Sequence, residues 1–409
     1  YYNKGNAFLE LFRYQEALSS YDQAIRVNPR YVGAYNNKGN VLQKLGYYDE
    51  ALSSFEKIIE IEPNYPLTIG KILHAKMFNC DWDDFFKKCN EIKEGLIKKN
   101  IILQPFTLLS TIDDAKLHKI AAEDYTKKFY PQKKEESKKI FNYKNHSKPR
   151  IGYFSSDFHD HAVMHLMMDV FKNQNHQLFD YYAFSFGPNL NDLWRDEVRK
   201  YFKQFIIVTD KSDKDIINLA RTLEIDIAVD LKGFTVDSRT KIFSHRVAPI
   251  QINYLGYPGT MGADYMDYII ADEVVIPKNF QENFTEKILY LPNCYQANMK
   301  NRLISSKIFE RSDFDLPEKA FVFCNFNSIY KITPYMFNIW MEILKEVPNS
   351  VLWLLTSSEK ASKKIQMEAK IRGIDEKRII FANNLPVEEH LMRICVADLF
   401  LDIAWVCQF

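Results

Sequence analysis

The sequence predicts an α-helical repeat solenoid followed by two doubly wound α/β domains, the second incomplete. Three observations carry this prediction. The first 65 residues repeat themselves at a period of 34. From residue 150 onward, short β-rich runs alternate with helical stretches, the pattern of parallel sheets. A charged tract at 300–319, KNRLISSKIFERSDFDLPEK, divides that alternation in two. At 409 residues, 46% hydrophobic and 26% charged, the chain has room for two or three domains.

The repeat comes first. YNKGN at 2–6 returns as NNKGN at 36–40, and YQEALSSYDQAIRVNPRY at 14–31 returns as YDEALSSFEKIIEIEPNY at 48–65. Tyr1/Tyr35, Gly5/Gly39, Ala17/Ala51, Tyr21/Phe55 and Pro29/Pro63 match at one spacing. Residues 1–65 therefore resemble tetratricopeptide repeats, helix–turn–helix units of that period. The small Gly and Ala positions let the two helices approach, and the Pro ends the second. The array opens in mid-repeat, and about three or more repeats are usual, so the expectation is the end of a longer solenoid. Such an array either presents protein partners on its concave face or caps and supports the next domain. Residues 66–130, including ILHAKMFNCDWDDFFKKCNEI, carry apolar positions at helical spacing and form a degenerate helical transition region. Residues 131–149 are lysine-rich and read as a surface linker.

Bulk properties narrow the function classes. Lys and Arg total 54 against 53 Asp and Glu, a net charge of +1, so neither nucleic acid nor an anionic membrane is the expected partner. No apolar run approaches the ~20 residues that span a bilayer. No secretory signal opens the chain, which begins at Tyr1. The six cysteines are scattered without a CxxC pair, which points to a reduced, cytoplasmic setting without disulfides or a zinc ribbon.

The α/β part predicts an N-terminal Rossmann-like domain over 150–300 and a partial C-terminal one over 318–409. The expected strands are RIGYF, YYAFSF, FIIVT, IDIAVDL, IQINYL and YIIAD, then FVFCNF, VLWLL, RIIF and DLFLD. Ligands bind beyond the carboxyl ends of such strands, so the cleft between the domains is the expected site. Three strand ends stand out in the first domain. RIGYF runs into Ser155-Ser156-Asp157 and the histidines His159, His161 and His165. IDIAVDL ends at Asp230 and Lys232. IQINYL ends in GYPGTMG, which holds three of the thirteen glycines and suits close backbone approach to a ligand. It is neither a P-loop nor the dinucleotide fingerprint GxGxxG.

The three histidines, at i, i+2 and i+6, do not share one helix face, and no Cys or carboxylate set completes a metal site. The Asp-x-Asp triplets at 81–83 and 313–315 fall outside the expected cleft. We therefore expect no metal; one histidine projecting from this strand end into the cleft is the simpler account. In the second domain, Thr333 is an expected N-cap and Pro334 an expected first helical residue. Met336, Phe337, Trp340, Ile343 and Leu344 form the apolar face. Lys331 precedes this helix N-terminus, where a diphosphate would be favoured.

Together GYFSSDFHDHAVMHLM, VAPIQINYLGYPGTMGADYMDYIIAD, YLPNCYQ and FCNFNSIYKITPYMFNIWMEILKEVPNSVLWLL resemble the protein O-GlcNAc transferases, in particular their bacterial SPINDLY-like branch. The resemblance implies a two-Rossmann GT-B glycosyltransferase that moves N-acetylglucosamine from UDP-GlcNAc to protein Ser/Thr hydroxyls, inverting and without metal. No other cofactor is implied; the partners are the nucleotide sugar and protein acceptors held by the repeats. By resemblance His161 is the active-site histidine near the acceptor and so the one that projects into the cleft, His165 packs on the following helix, His159, where the family requires no His, is a loop surface residue, and Gly256 lies beside the sugar. Lys331 holds the diphosphate and Ser328 contacts the nucleotide. Asn384 and Leu385 border the base, Val387 stands where animal enzymes have Lys, and His390 and Arg393 flank the nucleoside. After ADLFLD the family continues into an Asn-x-His-Thr-Thr phosphate loop, whereas this sequence reads IAWVCQF; an incomplete donor domain is the expectation. The alternatives are the same fold with another donor such as GDP-fucose, and a catalytically inactive repeat adaptor.

Overall fold

A computed structural model describes residues 1–132, 141–143, 146–188, 192–356 and 358–403. Most of the expected lysine-rich linker and all but Ile403 of IAWVCQF lie outside the described residues. The described chain groups into two compact units. One holds Tyr1–Leu103, Ser110–Ile112 and the residues from Leu303 on; the other holds Gln104–Leu109 and Asp113–Arg302.

The first unit begins with the repeats as helices α1 Tyr2–Glu10, α2 Tyr14–Val27, α3 Val32–Lys44 and α4 Tyr48–Ile61. The period shows in the packing. A Cβ on Gly5 would lie 2.5 Å from the Tyr21 ring, and one on Gly39 would lie 2.4 Å from the Phe55 ring. Ala17, Tyr21, Ala51 and Phe55 are fully buried. Helices α5 Thr68–Phe78 and α6 Phe85–Ile97 continue the array. The same unit contains the second α/β sheet, with parallel strands β8 Phe321–Asn325, β9 Ser350–Leu355, β10 Ile379–Ala382 and β11 Leu399–Phe400 in the order β10-β9-β8-β11. Repeats and sheet are thus one body. Tyr48 stacks on Phe78 at 4.0 Å, and Phe78 and His74 meet Tyr330 at 4.8 and 5.1 Å. The stretch 66–130 does not act as a single transition region; it divides between the two units.

The second unit is a seven-stranded parallel sheet: β1 Arg150–Ser155, β2 Asp180–Ser185, β3 Gln204–Ile207, β4 Ile227–Asp230, β5 Ile250–Asn253, β6 Tyr268–Ala271 and β7 Lys287–Tyr290. The order is β3-β2-β1-β4-β5-β6-β7, the doubly wound order whose direction reverses between β1 and β4. Phe154 on β1 stands opposite Phe184 on β2, and their rings stack at 4.4 Å, a cross-strand pair that helps set register. Helices α7 Pro105–Leu109 and α8 Ala115–Phe129 belong to this unit, where Leu109 and Ala122 join its core.

Strand β7 is absent from the sequence-based strand list. Its four residues alternate between exposed and half-buried at the sheet edge, so no buried apolar run announces it. No helix among the described residues is long and apolar enough to cross a membrane.

Candidate active site

Each sheet carries candidate residues at its strand ends, beginning at its reversal point. In the seven-stranded sheet the reversal lies between β1 and β4, and both strand ends carry charge. After β1, Asp157 is held by Ser155 Oγ, which accepts from its backbone N–H, and by Ser156 Oγ, which donates to Oδ1. After β4, Lys232 Nζ donates to both Asp157 oxygens at 2.8 Å. The side chains are 6% and 7% exposed, so this is a buried, bidentate pair. Sequence reading noted both residues at strand ends without pairing them; adjacency of β1 and β4 was the missing information.

His161 sits beside that pair. It is the N-cap of the helix Ala162–Lys172, and its Nδ1 accepts from the Val163 N–H at 3.2 Å. Nδ1 lies 3.5 Å from Asp157 Oδ2. Burial holds the imidazole below its ordinary range; Asp157 pulls the other way, while Lys232, His159 and His165 add to the lowering. His165 bonds Asp160 at 2.7 Å and meets Trp194 edge-on at 4.0 Å, a packing role on the following helix. His159 differs from the expected surface residue: it is half-buried, with Nδ1 enclosed and unbonded. The reason is local, since it follows buried Phe158 and lies 5.8 Å from the His161 ring.

Asp230, at the end of β4, holds the turn. Its Oδ1 accepts from the backbone N–H groups of Lys232 and Gly233 at 2.8 and 3.1 Å, while Oδ2 is buried without a partner. Burial pushes its carboxyl up to about 6. An acid whose folded value is raised contributes stability at low pH and loses it as pH rises from about 4 to about 6. We expect this group alone to remove on the order of 3 kcal/mol across that window. Chemical denaturation of wild type and Asp230→Asn at pH 4 and pH 7 should show the difference; parallel pH profiles would refute it.

The glycine loop after β5 is built tightly. Leu255, a non-glycine residue, takes φ +66° immediately before Gly256, a strained conformation of the kind that gathers at functional sites. A Cβ on Gly256 would lie 1.9 Å from the Leu231 carbonyl oxygen. The close backbone approach expected of this loop is therefore, at Gly256, to the chain itself. Asn253 Nδ2 donates to the Tyr257 and Gly259 carbonyls at 3.2 Å, and buried Glu286 accepts from Thr260 Oγ1 and the Met261 N–H at 2.6 Å. These supports come from β5 and from the residue just before β7, and neither is among the residues that the sequence pattern singles out.

In the four-stranded sheet the reversal lies between β8 and β11. Asn325 Nδ2 spans it, donating to the Leu401 carbonyl at 2.6 Å. The loop then forms a 3-10 turn, Ile329–Lys331, which carries exposed Ser328 at its N-cap and half-buried Lys331 at its end. Thr333 caps the helix Pro334–Glu346, accepting from the Met336 N–H, and Pro334 is its first residue. Met336, Phe337, Trp340 and Leu344 are buried; Ile343 is only half-buried, and Met341, not anticipated, is fully buried.

After β10, Asn384 is exposed and Leu385 half-buried in the turn that leads to the helix Val387–Arg393. His390 meets the Phe326 ring at 5.3 Å. Burial, with Arg393 nearby, holds its imidazole below the ordinary range. Phe326 thereby joins the Ser328–Lys331 loop to the His390 helix. Arg393, expected to flank the nucleoside, is only 1% exposed. Its guanidinium donates to the Asn383 carbonyl and lies 4.8 and 5.9 Å from the Phe326 and Trp353 rings. It has almost no surface for a ligand, so it braces the turn at 383–386 instead. Both Asp-x-Asp triplets have local roles: Asp81 lies 3.5 Å from Lys76, Asp83 lies 3.9 Å from Lys364, and Asp313 forms a capping box with Glu310.

A family model described as glycosyl transferase family 41 matches residues 80–305 and 296–408, and tetratricopeptide-repeat models match 5–46 and 32–65. The chain is 38% identical over 258 residues to the probable UDP-N-acetylglucosamine–peptide N-acetylglucosaminyltransferase SEC of Arabidopsis thaliana, covering 62% of this chain and 26% of that protein. It is 26% identical to the Caenorhabditis elegans UDP-N-acetylglucosamine–peptide N-acetylglucosaminyltransferase, covering 79% and 39%. The chain thus spans between a quarter and two-fifths of these relatives. Among solved structures, a mutant of Thermobaculum terrenum O-GlcNAc transferase superposes with a TM-score of 0.77 at 19% identity, covering 98% of this chain and 77% of that one. This likeness carries the fold: helical repeats followed by two Rossmann-like sheets.

Proposed function

The chain belongs to glycosyl transferase family 41, and from that premise we propose that it transfers N-acetylglucosamine from UDP-GlcNAc to Ser or Thr hydroxyls of proteins. The observation that carries the reading is the family match across both α/β regions, with His161 following β1 at the reversal of one sheet and Ser328 and Lys331 following β8 at the reversal of the other. Similarly named relatives support the donor and acceptor classes.

The chemistry needs three things. The acceptor oxygen must face the anomeric carbon, its proton must be relieved, and charge on the departing diphosphate must be offset. The new C–O bond forms as the sugar–phosphate bond breaks on the opposite face, so configuration inverts, UDP leaves with the bonding pair, and the hydroxyl proton passes to the departing diphosphate. We assign His161 to the acceptor side. We assign Lys331, just before a capped helix N-terminus, to the diphosphate, where an ammonium and oriented N–H groups stabilise developing negative charge. Ser328, Asn384, Leu385 and His390 border the nucleoside in this reading, and Gly256 shapes the loop beside the sugar. The repeats serve protein acceptors. Transfer is proposed to proceed without a divalent cation.

Labelled UDP-GlcNAc, incubated with the protein and a panel of Ser/Thr peptides in EDTA, tests this directly. Label in peptide supports it. Label from GDP-fucose but not UDP-GlcNAc would replace the donor. The absence of transfer, together with no melting-temperature response to UDP or GDP, would favour the adaptor reading.

A further inference from the structure

We propose that Lys232 is a positioning residue for His161: by occupying both oxygens of Asp157, it keeps that carboxylate from drawing a proton onto Nδ1, so the imidazole meets the acceptor as an Nε2–H donor. In catalytic consequence this rests on the acceptor-side reading of His161; in its structural content it does not.

Three contacts carry the inference. Lys232 Nζ donates to Asp157 Oδ1 and Oδ2 at 2.8 Å each, and Ser156 Oγ also donates to Oδ1 at 2.8 Å. Asp157 Oδ2 is nevertheless only 3.5 Å from His161 Nδ1. Nδ1 itself accepts from the Val163 N–H at 3.2 Å. A ring nitrogen that accepts a hydrogen bond carries no proton, so the proton of the neutral ring resides on Nε2.

A buried carboxylate at this distance, standing alone, would reverse that arrangement. It would place the proton on Nδ1 and leave Nε2 bare, the geometry of a general base supported by an acid. The ion pair prevents it because the ammonium holds both carboxylate oxygens and opposes their field at the ring. The other titratable groups that face His161, His159 and His165, act in the same direction as Lys232. Asp160 is engaged by His165. The His161 side chain is 40% exposed, and with Nδ1 engaged, Nε2 is the nitrogen left for a ligand. An Nε2–H donor orients an acceptor oxygen through a lone pair; it does not take the hydroxyl proton.

Nitrogen-15 imidazole NMR, followed through a pH titration of the whole protein, reads tautomer and proton affinity together. In wild type, His161 is expected as the Nε2–H tautomer at neutral pH. In Lys232→Met the proton moves to Nδ1, and the ring binds its second proton about tenfold more tightly. The double variant Lys232→Met/Asp157→Asn, which removes both charges, returns the wild-type tautomer; replacing a whole buried pair is often neutral for stability. Should Lys232→Met fail to fold, Lys232→Gln keeps a donor for Asp157 without the charge and is expected to show the same shift. An unchanged tautomer and affinity in a folded single variant overturns the proposal, as does an Nδ1–H tautomer in wild type. Failure of the wild-type protein to transfer sugar would overturn the proposed function and leave the NMR result standing.

Discussion

Lys331→Ala is expected to lower transfer from UDP-GlcNAc by about two to three orders of magnitude, the usual cost of deleting one preorganised group that faces developing charge. Melting temperature in the absence of nucleotide, measured alongside, separates any structural cost of the substitution from the loss of rate. The loss should fall mainly on kcat, since charge on the diphosphate grows as the sugar–phosphate bond breaks. Lys331→Arg should recover part of the rate: the charge returns, but the guanidinium is bulkier than an ammonium. Steady-state kinetics on all three proteins decide the matter. A kcat within a factor of a few of wild type in Lys331→Ala would remove Lys331 from the diphosphate site.

Gly256→Ala is expected to destabilise the seven-stranded unit by about 3 kcal/mol or more, the upper range for forcing atoms into filled space. The added carbon would meet the Leu231 carbonyl oxygen at 1.9 Å, its carbonyl carbon at 2.7 Å and Lys232 Cα at 3.2 Å. All of these are backbone atoms at the end of β4, so no flexible side chain can yield. Relief requires β4 and the β5 loop to separate, and that moves Lys232 away from Asp157. Denaturant unfolding measures the first effect, and the His161 titration curve detects the second. A variant as stable as wild type would show that the two strand ends do not approach as closely as they do here.

Features set by local chemistry were legible from the residues. The 34-residue period appears twice over, and it returns as the same contact, Gly5 on Tyr21 and Gly39 on Phe55. Thr333-Pro334 announced a helix start because a hydroxyl cap and a fixed φ act within one turn. Strand β7 was not legible because an edge strand of four half-exposed residues carries no buried run. Arg393 was misread because a charged residue on a short helix looks exposed until Phe326 and Trp353 close over it. The repeats were expected to serve partners or support a domain. The contact of α5 with Tyr330, two hundred and fifty residues further along, shows that they also brace the turn that carries Lys331.

Sequence alone determined the helical array, the two alternating α/β regions and the capped helix after Lys331, because repeats, caps and strand–helix alternation are written in neighbouring residues. Only the tertiary structure decided what His161 is beside. Asp157 and Lys232 are 75 positions apart, and they meet because the doubly wound order sets β1 against β4. Burial then makes their pairing strong enough to govern the imidazole between them and the acceptor side. Spacing in a chain cannot show that; the order of strands in a sheet does.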